Sequence, residues 1–320
     1  MARADLLIHL VRAARERNEG ELRRTVESMV AEERDKQHHV LAERLEDALR
    51  AAAPVENGGQ HLDGATGFAV LTPRRRLDDL VLSDSSRAAM AELIEEQQRT
   101  EVLRVHGLEP RHRVLLTGPP GNGKTSLGEA IAEALLLPLI IVRYEEVIGS
   151  YLGETASRLA TVFAFARTRR CVLFFDEFDA VAKERGDEHE TGEIKRVVSA
   201  LLMQVDGLPS HAIVVAASNH PELLDRAVHR RFELRLELPM PGKVARVAWF
   251  ERLLSELGEP VGLNADTLAR RTTGASFSQL RDLADDIQRR RALEPGTSLR
   301  RLVPERLRRW REVSALEAHA

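Results

Sequence analysis

Gly118-Pro119-Pro120-Gly121-Asn122-Gly123-Lys124-Thr125 is the stretch from which the fold can be read. It has the form G-x-x-x-x-G-K-[ST], follows a short apolar run at 114–116, and precedes a helix predicted to begin near Lys124. The spacing has a direct physical meaning. Glycines let backbone N–H groups wrap around phosphates, and the start of the following helix adds positive potential. In that setting Lys124 reaches the β- and γ-phosphates of a nucleotide and the Thr125 hydroxyl ligates Mg²⁺. The loop residues Gly118 to Thr125, with Ser126 after them, are therefore candidate nucleotide-binding residues. A plain Gly/Pro turn ahead of a helix is the bland alternative. The strand before and the helix after argue against it.

Outward from this loop the pattern alternates. Apolar runs at 114–116, 139–142, 172–175, 213–216 and 234–238 are separated by helical stretches. Short buried strands alternating with helices predict an α/β fold, a five-stranded parallel sheet covered on both faces. After Pro239-Met240-Pro241-Gly242 the strand pattern stops, and 244–257, 265–271, 276–291 and 303–311 read as helices. On the N-terminal side, Leu6, Leu7, Leu10 and Ala14, then Leu22, Val26, Met29 and Val30, then Leu41, Leu45 and Leu49 recur at helical spacing. The breaker-rich Ala53-Pro54-Val55-Glu56-Asn57-Gly58-Gly59 follows. The expected organisation is a helical arm at 1–52, a linker at 53–71, an α/β core at 72–240, and a helical lid with a C-terminal helix at 241–320.

Three further segments fall at strand ends, where ligands of open α/β sheets bind. Cys171-Val172-Leu173-Phe174-Phe175-Asp176-Glu177 ends an apolar run in two acids. Asp176 is placed to hold the metal, and Glu177 to orient and polarise an attacking water. Glu177 as a helix-start residue is the alternative; Asp179 reads as structural. Asn219 ends Val214-Val215-Ala216-Ala217-Ser218-Asn219, where its amide can bond a γ-phosphate and the attacking water; a turn asparagine is the alternative. Arg230 and Arg231 follow a short predicted helix and suit a surface that reaches a neighbouring subunit's phosphate, as arginine fingers do.

In this order the four parts resemble the AAA ATPases in the narrow sense, over about 77–291. The resemblance implies the P-loop AAA+ fold, ATP and Mg²⁺ as ligands, and a homo-oligomeric ring, usually a hexamer, with ATP at subunit interfaces. It also implies remodelling of protein substrates. Ser150-Tyr151-Leu152-Gly153-Glu154-Thr155 resembles the family's first pore loop, so Tyr151, Leu152 and Gly153 would grip a polypeptide in a central pore; an aromatic suits this because it packs on any side chain. A core aromatic is the alternative for Tyr151. The stretch Leu201-Leu202-Met203-Gln204-Val205-Asp206-Gly207 resembles the one after the second pore loop, expected near 186–193. Leu80 and Val81 lie where related proteins contact adenine. Gly274 and Ala275 begin the segment resembling the lid near adenine, but the usual Ser-Gly-Ala-Asp-Leu is Ser276-Phe277-Ser278-Gln279-Leu280 here. No lid arginine stands out, which is usual for this branch. The wording of residues 1–39 resembles bacterial AAA ATPases encoded beside a subtilisin-like serine protease in plasmid-incompatibility and phage-defence pairs, which implies such a protease as partner.

Composition bounds the remaining choices. At roughly 100–200 residues per domain, 320 residues allow two or three units. An apolar share of 43% and a charged share of 30% are those of a globular chain. The longest apolar run, 134–142, contains Pro138 and is too short for a membrane span. The N-terminus has no secretory pattern. The single Cys171 cannot form an internal disulfide, which fits a reducing cytoplasm. With 47 basic and 50 acidic residues, wholesale nucleic-acid binding is not indicated. Residues 289–311 nevertheless hold nine arginines against Glu294 and Glu305, so a nucleic-acid motor or loader of the wider AAA+ group stands as the second functional reading. His38-His39 lacks the further ligands a metal site needs.

Overall fold

A computed structural model of the chain describes residues 25–26, 28–30, 60–61, 68–143, 152–179, 200–294 and 296–317. The chain divides into two compact units, Met1–Gly59 and Gln60–Ala320. In the first, residues 25–26 and 28–30 are helical. The rest of the predicted arm, His38 and His39 included, lies outside the described residues.

The second unit is built on one seven-stranded sheet. Its strands are β1 (Gln60–His61), β2 (Phe68–Leu71), β3 (Arg113–Thr117), β4 (Leu139–Arg143), β5 (Cys171–Asp176), β6 (Ala212–Ser218) and β7 (Leu234–Glu237), in the spatial order β1-β2-β4-β5-β6-β3-β7. The five strands expected from the alternating pattern are all present and mutually parallel. The linker expected at 53–71 is corrected at its end. Phe68–Leu71 forms β2, antiparallel to β4 with Phe68 opposite Val142 and Leu71 opposite Leu139, and β1 pairs in turn with β2. Four apolar residues are too few for periodicity to distinguish them from the breakers around them, but the edge of β4 offers unpaired backbone for them to join.

The side-chain period of two divides the strands between two cores. Leu115, Leu173, Phe175, Val214 and Ala216 face one side with Val162 and Phe163 of a helix at Leu152–Thr168 and Leu201, Leu202 and Val205 of the helical residues 200–206. Val114, Leu116, Val172, Phe174, Ile213 and Val215 face the other. There they meet α1 (Asp84–Gln98) through Met90 and Leu93, and α3 (Lys124–Ala134) through Leu127 and Ile131. A short α2 (Thr100–Val105) lies between α1 and β3 in the chain; the Leu152–Thr168 helix is α4, and α5 (Arg226–Arg231) precedes β7. Gly128 of α3 lets the helix lie flat on β5: a Cβ there would stand 2.4 Å from Phe174 Cδ2.

The expected C-terminal helices are α6 (Lys243–Leu257), α7 (Ala265–Arg271), α8 (Phe277–Leu293) and α9 (Leu299–Glu317). They share a hydrophobic cluster of their own, with Phe250, Leu268, Leu280, Leu283, Ile287 and Leu307 buried in it. Local chemistry sets their ends. Asn264 accepts the Thr267 N–H at the start of α7, and α6 stops at Gly258 in the left-handed region, φ 68°. The basic C-terminal segment is partly consumed by this packing. Arg306 is buried beside Asp286 and Glu305, Arg290 pairs with Glu294, and Arg291 pairs with Glu259 at 2.6 Å. Arg289, Arg300, Arg301, Arg308, Arg309 and Arg311 remain exposed.

Candidate functional site

The C-terminal ends of β3, β5 and β6 open on one cavity of about 420 Å³. Residues Pro120 to Ser126 form its floor. The backbone turns through Gly121 at φ 74° and Gly123 at φ 91°, conformations glycine reaches without strain, and α3 then starts at Lys124. Gly118 and Pro119 are behind this surface and do not line it. Gly118, at φ 135°, is pressed against β7's continuation, where a Cβ would come within 2.3 Å of Leu238 O. The carbonyls of both residues accept the Lys124 Nζ, at 2.6 and 3.0 Å. Lys124 is buried, and that burial lowers its pKa, with the charges of Asp176 and Asp179 acting in the opposite sense. In this arrangement the ammonium is bonded to the loop it belongs to, and an anion entering the loop would compete for it.

Beside the loop, the Thr125 hydroxyl donates to Asp176 Oδ2 at 3.4 Å. The chain leaves β5 sharply. Asp176 Oδ1 accepts the Glu177 N–H at 3.1 Å, Glu177 sits in the left-handed region at φ 50°, and the Phe178 N–H is pinned to Ala217 O at 2.8 Å. A glutamate held at positive φ is strained by about 1–3 kcal/mol. The restraint comes from Phe178, buried edge-on against Phe175 and Phe232. Asp179 is buried and accepts the Asn219 N–H at 3.0 Å, tying the end of β5 to the end of β6. Asp176, Glu177 and Asn219 all line the cavity. Thr125 and Asp176 supply two neighbouring oxygens, a hard donor set that suits Mg²⁺, which is ordinarily held by one or two protein groups plus phosphate and water.

The cavity is also lined by Leu80, Val81 and Leu82, by Trp249 of α6 and by Phe277 and Ser278 of α8. Gly274 and Ala275, expected here, do not line the cavity. Gly274 turns at φ 85° in open space, and Ala275 is buried in the cluster of the C-terminal helices. The lining passes instead to the first turn of α8, which docks through the Ser278 N–H on Gly121 O at 2.9 Å. Arg281, one turn further on, also lines the cavity, together with Arg75 and Asp79. The sequence motifs single out none of these three, nor Trp249. Rarity of Trp and the aromatic at 277 were the available signals.

Arg230 and Arg231 are not at this cavity. Arg231 Nε donates to Asp206 Oδ2 at 2.8 Å and its Nη1 to Ala227 O at 3.0 Å; Arg113 shares Asp206 at 3.3 Å. Arg230 is exposed. Leu152 and Gly153 open α4, while Tyr151 and the second predicted pore loop at 186–193 lie outside the described residues.

Residues 114–240 match the family model described as ATPase family associated with various cellular activities (AAA). A protein of Sinorhizobium fredii, named as an uncharacterized AAA family ATPase y4kL, is 34% identical over 97% of both chains. This chain belongs to the AAA family of ATPases. As an AAA ATPase it binds and hydrolyses ATP. Its similarity extends to the cell division cycle protein 48 homolog of Archaeoglobus fulgidus, 34% identical over 66% of this chain and 30% of that protein. The ATP-dependent zinc metalloprotease FtsH 3 of Sphaerobacter thermophilus is 31% identical over 68% of this chain and 46% of that protein. The chain thus spans under half the length of these two relatives. The departure of the AAA lid motif has a structural reading. Gln279 keeps the cap of α8 closed: Ser276 Oγ accepts the Gln279 N–H at 3.3 Å, and Gln279 Oε1 accepts the Ser276 N–H at 2.9 Å. Among the described residues no helix is long and apolar enough to cross a membrane.

Proposed function

We propose that this AAA ATPase uses ATP hydrolysis, in a homo-oligomeric ring, to unfold or thread protein substrates. The observation carrying the site assignment is the convergence of Thr125, Asp176, Glu177 and Asn219 on one cavity floored by the phosphate-type loop. Lys124, released from Gly118 and Pro119, bonds the β- and γ-phosphates. Thr125 and Asp176 hold Mg²⁺, which when bound neutralises phosphate charge. Glu177 polarises the attacking water, and Asn219 orients it against the γ-phosphate. Arg230 and Arg231, remote from their own cavity, act on the nucleotide of a neighbouring copy. The core at 72–240 and the lid at 241–320 close on the nucleotide between them.

Protein as the substrate is supported by the relative named as an ATP-dependent metalloprotease and by the Tyr151-Leu152-Gly153 sequence. A hexamer with Tyr151 in its pore follows from the family resemblance. The match to the Sinorhizobium fredii protein runs over 97% of this chain and so takes in most of the N-terminal segment, the part whose wording resembles ATPases paired with a subtilisin-like serine protease. We infer such a protease as partner.

The decisive experiment is Glu177→Gln. It should retain ATP with near-unchanged affinity while turnover falls by about 10²–10⁴-fold, the usual worth of a general base. Capture of a protease and of protein substrates by this ATP-locked variant from the native host would support the remodelling reading. Undiminished turnover would remove Glu177 from the chemistry.

A further inference from the structure

The nine arginines of residues 289–311 are sorted by the fold into two groups. Arg290 pairs with Glu294, Arg291 with Glu259, and Arg306 with Asp286 and Glu305. The other six are exposed, and among the described residues no hydrogen bond or ion pair engages their side chains. Five of these six are on α9. At about 100° of turn per residue, Arg300, Arg301, Arg308 and Arg311 fall within about 100° of one another round the helix, in a row roughly 16 Å long. Glu305 and Glu312 flank one edge of the row, each within one helical turn of Arg308, and neither pairs with it; the Glu305 bridge, at 3.4 Å, goes to the buried Arg306. A helix face that needed only solvation would interleave and pair its charges, since like charges along one side oppose helix formation. An unpaired row of this kind favours an anion from outside the fold.

What surrounds the row determines which anion it fits. A protein–protein interface needs an apolar centre. The arc that holds the four arginines contains Pro304 and no large apolar side chain. Val313, exposed on the same helix, projects from the other side, about 170° from the middle of the row. An anionic membrane would take an amphipathic helix by its apolar face. That face of α9, formed by Leu299, Leu302, Val303 and Leu307, is buried in the cluster of the C-terminal helices. Trp310 packs against the same cluster, so the row carries no aromatic on which an unpaired base could stack. What remains is a line of guanidinium groups facing solvent. Each can bond two phosphate oxygens, and a nucleic-acid duplex presents phosphates repeated along a line.

We propose that the solvent face of α9 binds the phosphate backbone of duplex nucleic acid without regard to sequence, with Arg300, Arg301, Arg308 and Arg311 as its contacts. None of the four lines the nucleotide cavity, so the surface is separate from the site of hydrolysis. The chain as a whole carries a net charge of −3, and the attraction therefore comes from this row and not from the molecule at large. Such a surface tethers the ATPase to nucleic acid and leaves its work on protein to the rest of the molecule.

The test measures binding of the full chain to short fluorescent duplexes of DNA and of RNA, by anisotropy, between about 50 and 200 mM NaCl. For duplex DNA, four phosphate contacts predict a slope of log K against log salt of about −3.6, so the fourfold rise in salt should weaken binding on the order of 10²-fold. Duplexes of unrelated sequence should bind within about twofold of each other, because backbone contacts carry no sequence information. Arg301→Gln combined with Arg308→Gln should make the slope shallower by about 1.8, while Arg301→Lys combined with Arg308→Lys should keep it, since the charge makes the contact. Neither pair should alter ATP turnover in the absence of nucleic acid or shift the urea midpoint, which separates a lost contact from a lost fold. Either duplex bound with this salt dependence and released by the glutamine variant supports the proposal, and the tighter of the two names the source of the phosphates. No duplex binding at about 50 mM NaCl, or a slope unchanged in the glutamine variant, would overturn it. Phosphatidylserine vesicles or poly-glutamate bound more tightly than either duplex would also overturn it, and would give the row to a membrane or to an acidic protein.

Discussion

Gly118 and Gly123 bracket the same loop, yet the backbone asks different things of them. Both have positive φ, 135° and 91°. A Cβ on Gly118 would meet Leu238 O at 2.3 Å, a backbone atom that cannot step aside, whereas one on Gly123 would meet nothing within 4 Å. Gly118→Ala therefore combines dihedral strain with overpacking and should cost at least about 1–3 kcal/mol, while Gly123→Ala carries the strain alone. Urea midpoints of the two variants check this; equal losses would mean that the close approach to Leu238 relaxes freely. Cys171 offers a second residue-scale test. Its thiol is fully buried at the start of β5, and burial pushes its pKa from 9.0 up to about 11. Below pH ~9 the thiol is neutral in folded and unfolded chains alike and the stability associated with it is intact. As pH rises from there towards 11 the unfolded chain ionises first, so that stability is lost. Thiol labelling at pH 8 should proceed only as fast as the chain opens. Rapid stoichiometric labelling of the native protein would contradict the burial.

At the scale of elements, the first turn of α8 joins lid to loop. Ser276 caps it, Ser278 bonds Gly121, and Phe277 lines the cavity from it, with Arg281 one turn further on. Ser276→Ala removes the cap and should cost about 1 kcal/mol. It should also raise KM for ATP, because the residues at the cavity ride on that turn; a stability loss with KM unchanged would show that the turn holds its place without the cap. The five parallel strands could be read because each is a short apolar run between helical patterns, and the loop from Gly118 to Thr125 because its glycines and lysine stand in a fixed spacing. Asp176, Glu177 and Asn219 were legible as polar residues ending such runs. β2 was not, since Phe68–Leu71 is defined by pairing to β4, a contact distant in sequence. The lid motif points to Gly274 and Ala275, but Phe277, Ser278 and Arg281 line the cavity in their place. In a chain so rich in arginine, Arg281 cannot be told from its neighbours until their partners are known.

At the scale of the whole molecule, the proposed role of Arg231 as an arginine finger concerns two copies of the chain. Arg231 is tethered to Asp206 and Ala227 O, and neither it nor Arg230 lines the cavity formed by its own chain. If Arg231 acts on phosphate, it does so on a second copy, and must leave Asp206 and Ala227 O to do it. The consequence is a separation of functions between subunits. Arg231→Ala should bind ATP as the unmodified chain does but hydrolyse it about 10³–10⁵-fold more slowly, the worth of an arginine finger. Lys124→Ala should bind ATP poorly and be inactive as well. Mixed, the two variants form some interfaces in which an intact Lys124 cavity faces an intact Arg231, and those interfaces alone should turn over. Activity should therefore appear on mixing, grow with time as subunits exchange, and depend on the ratio of the two chains with a maximum between the pure variants. A mixture as inactive as its components, with exchange demonstrated by labelled subunits, would place Arg231 in a structural role within its own chain. Full activity of Arg231→Ala alone would remove it from the reaction altogether.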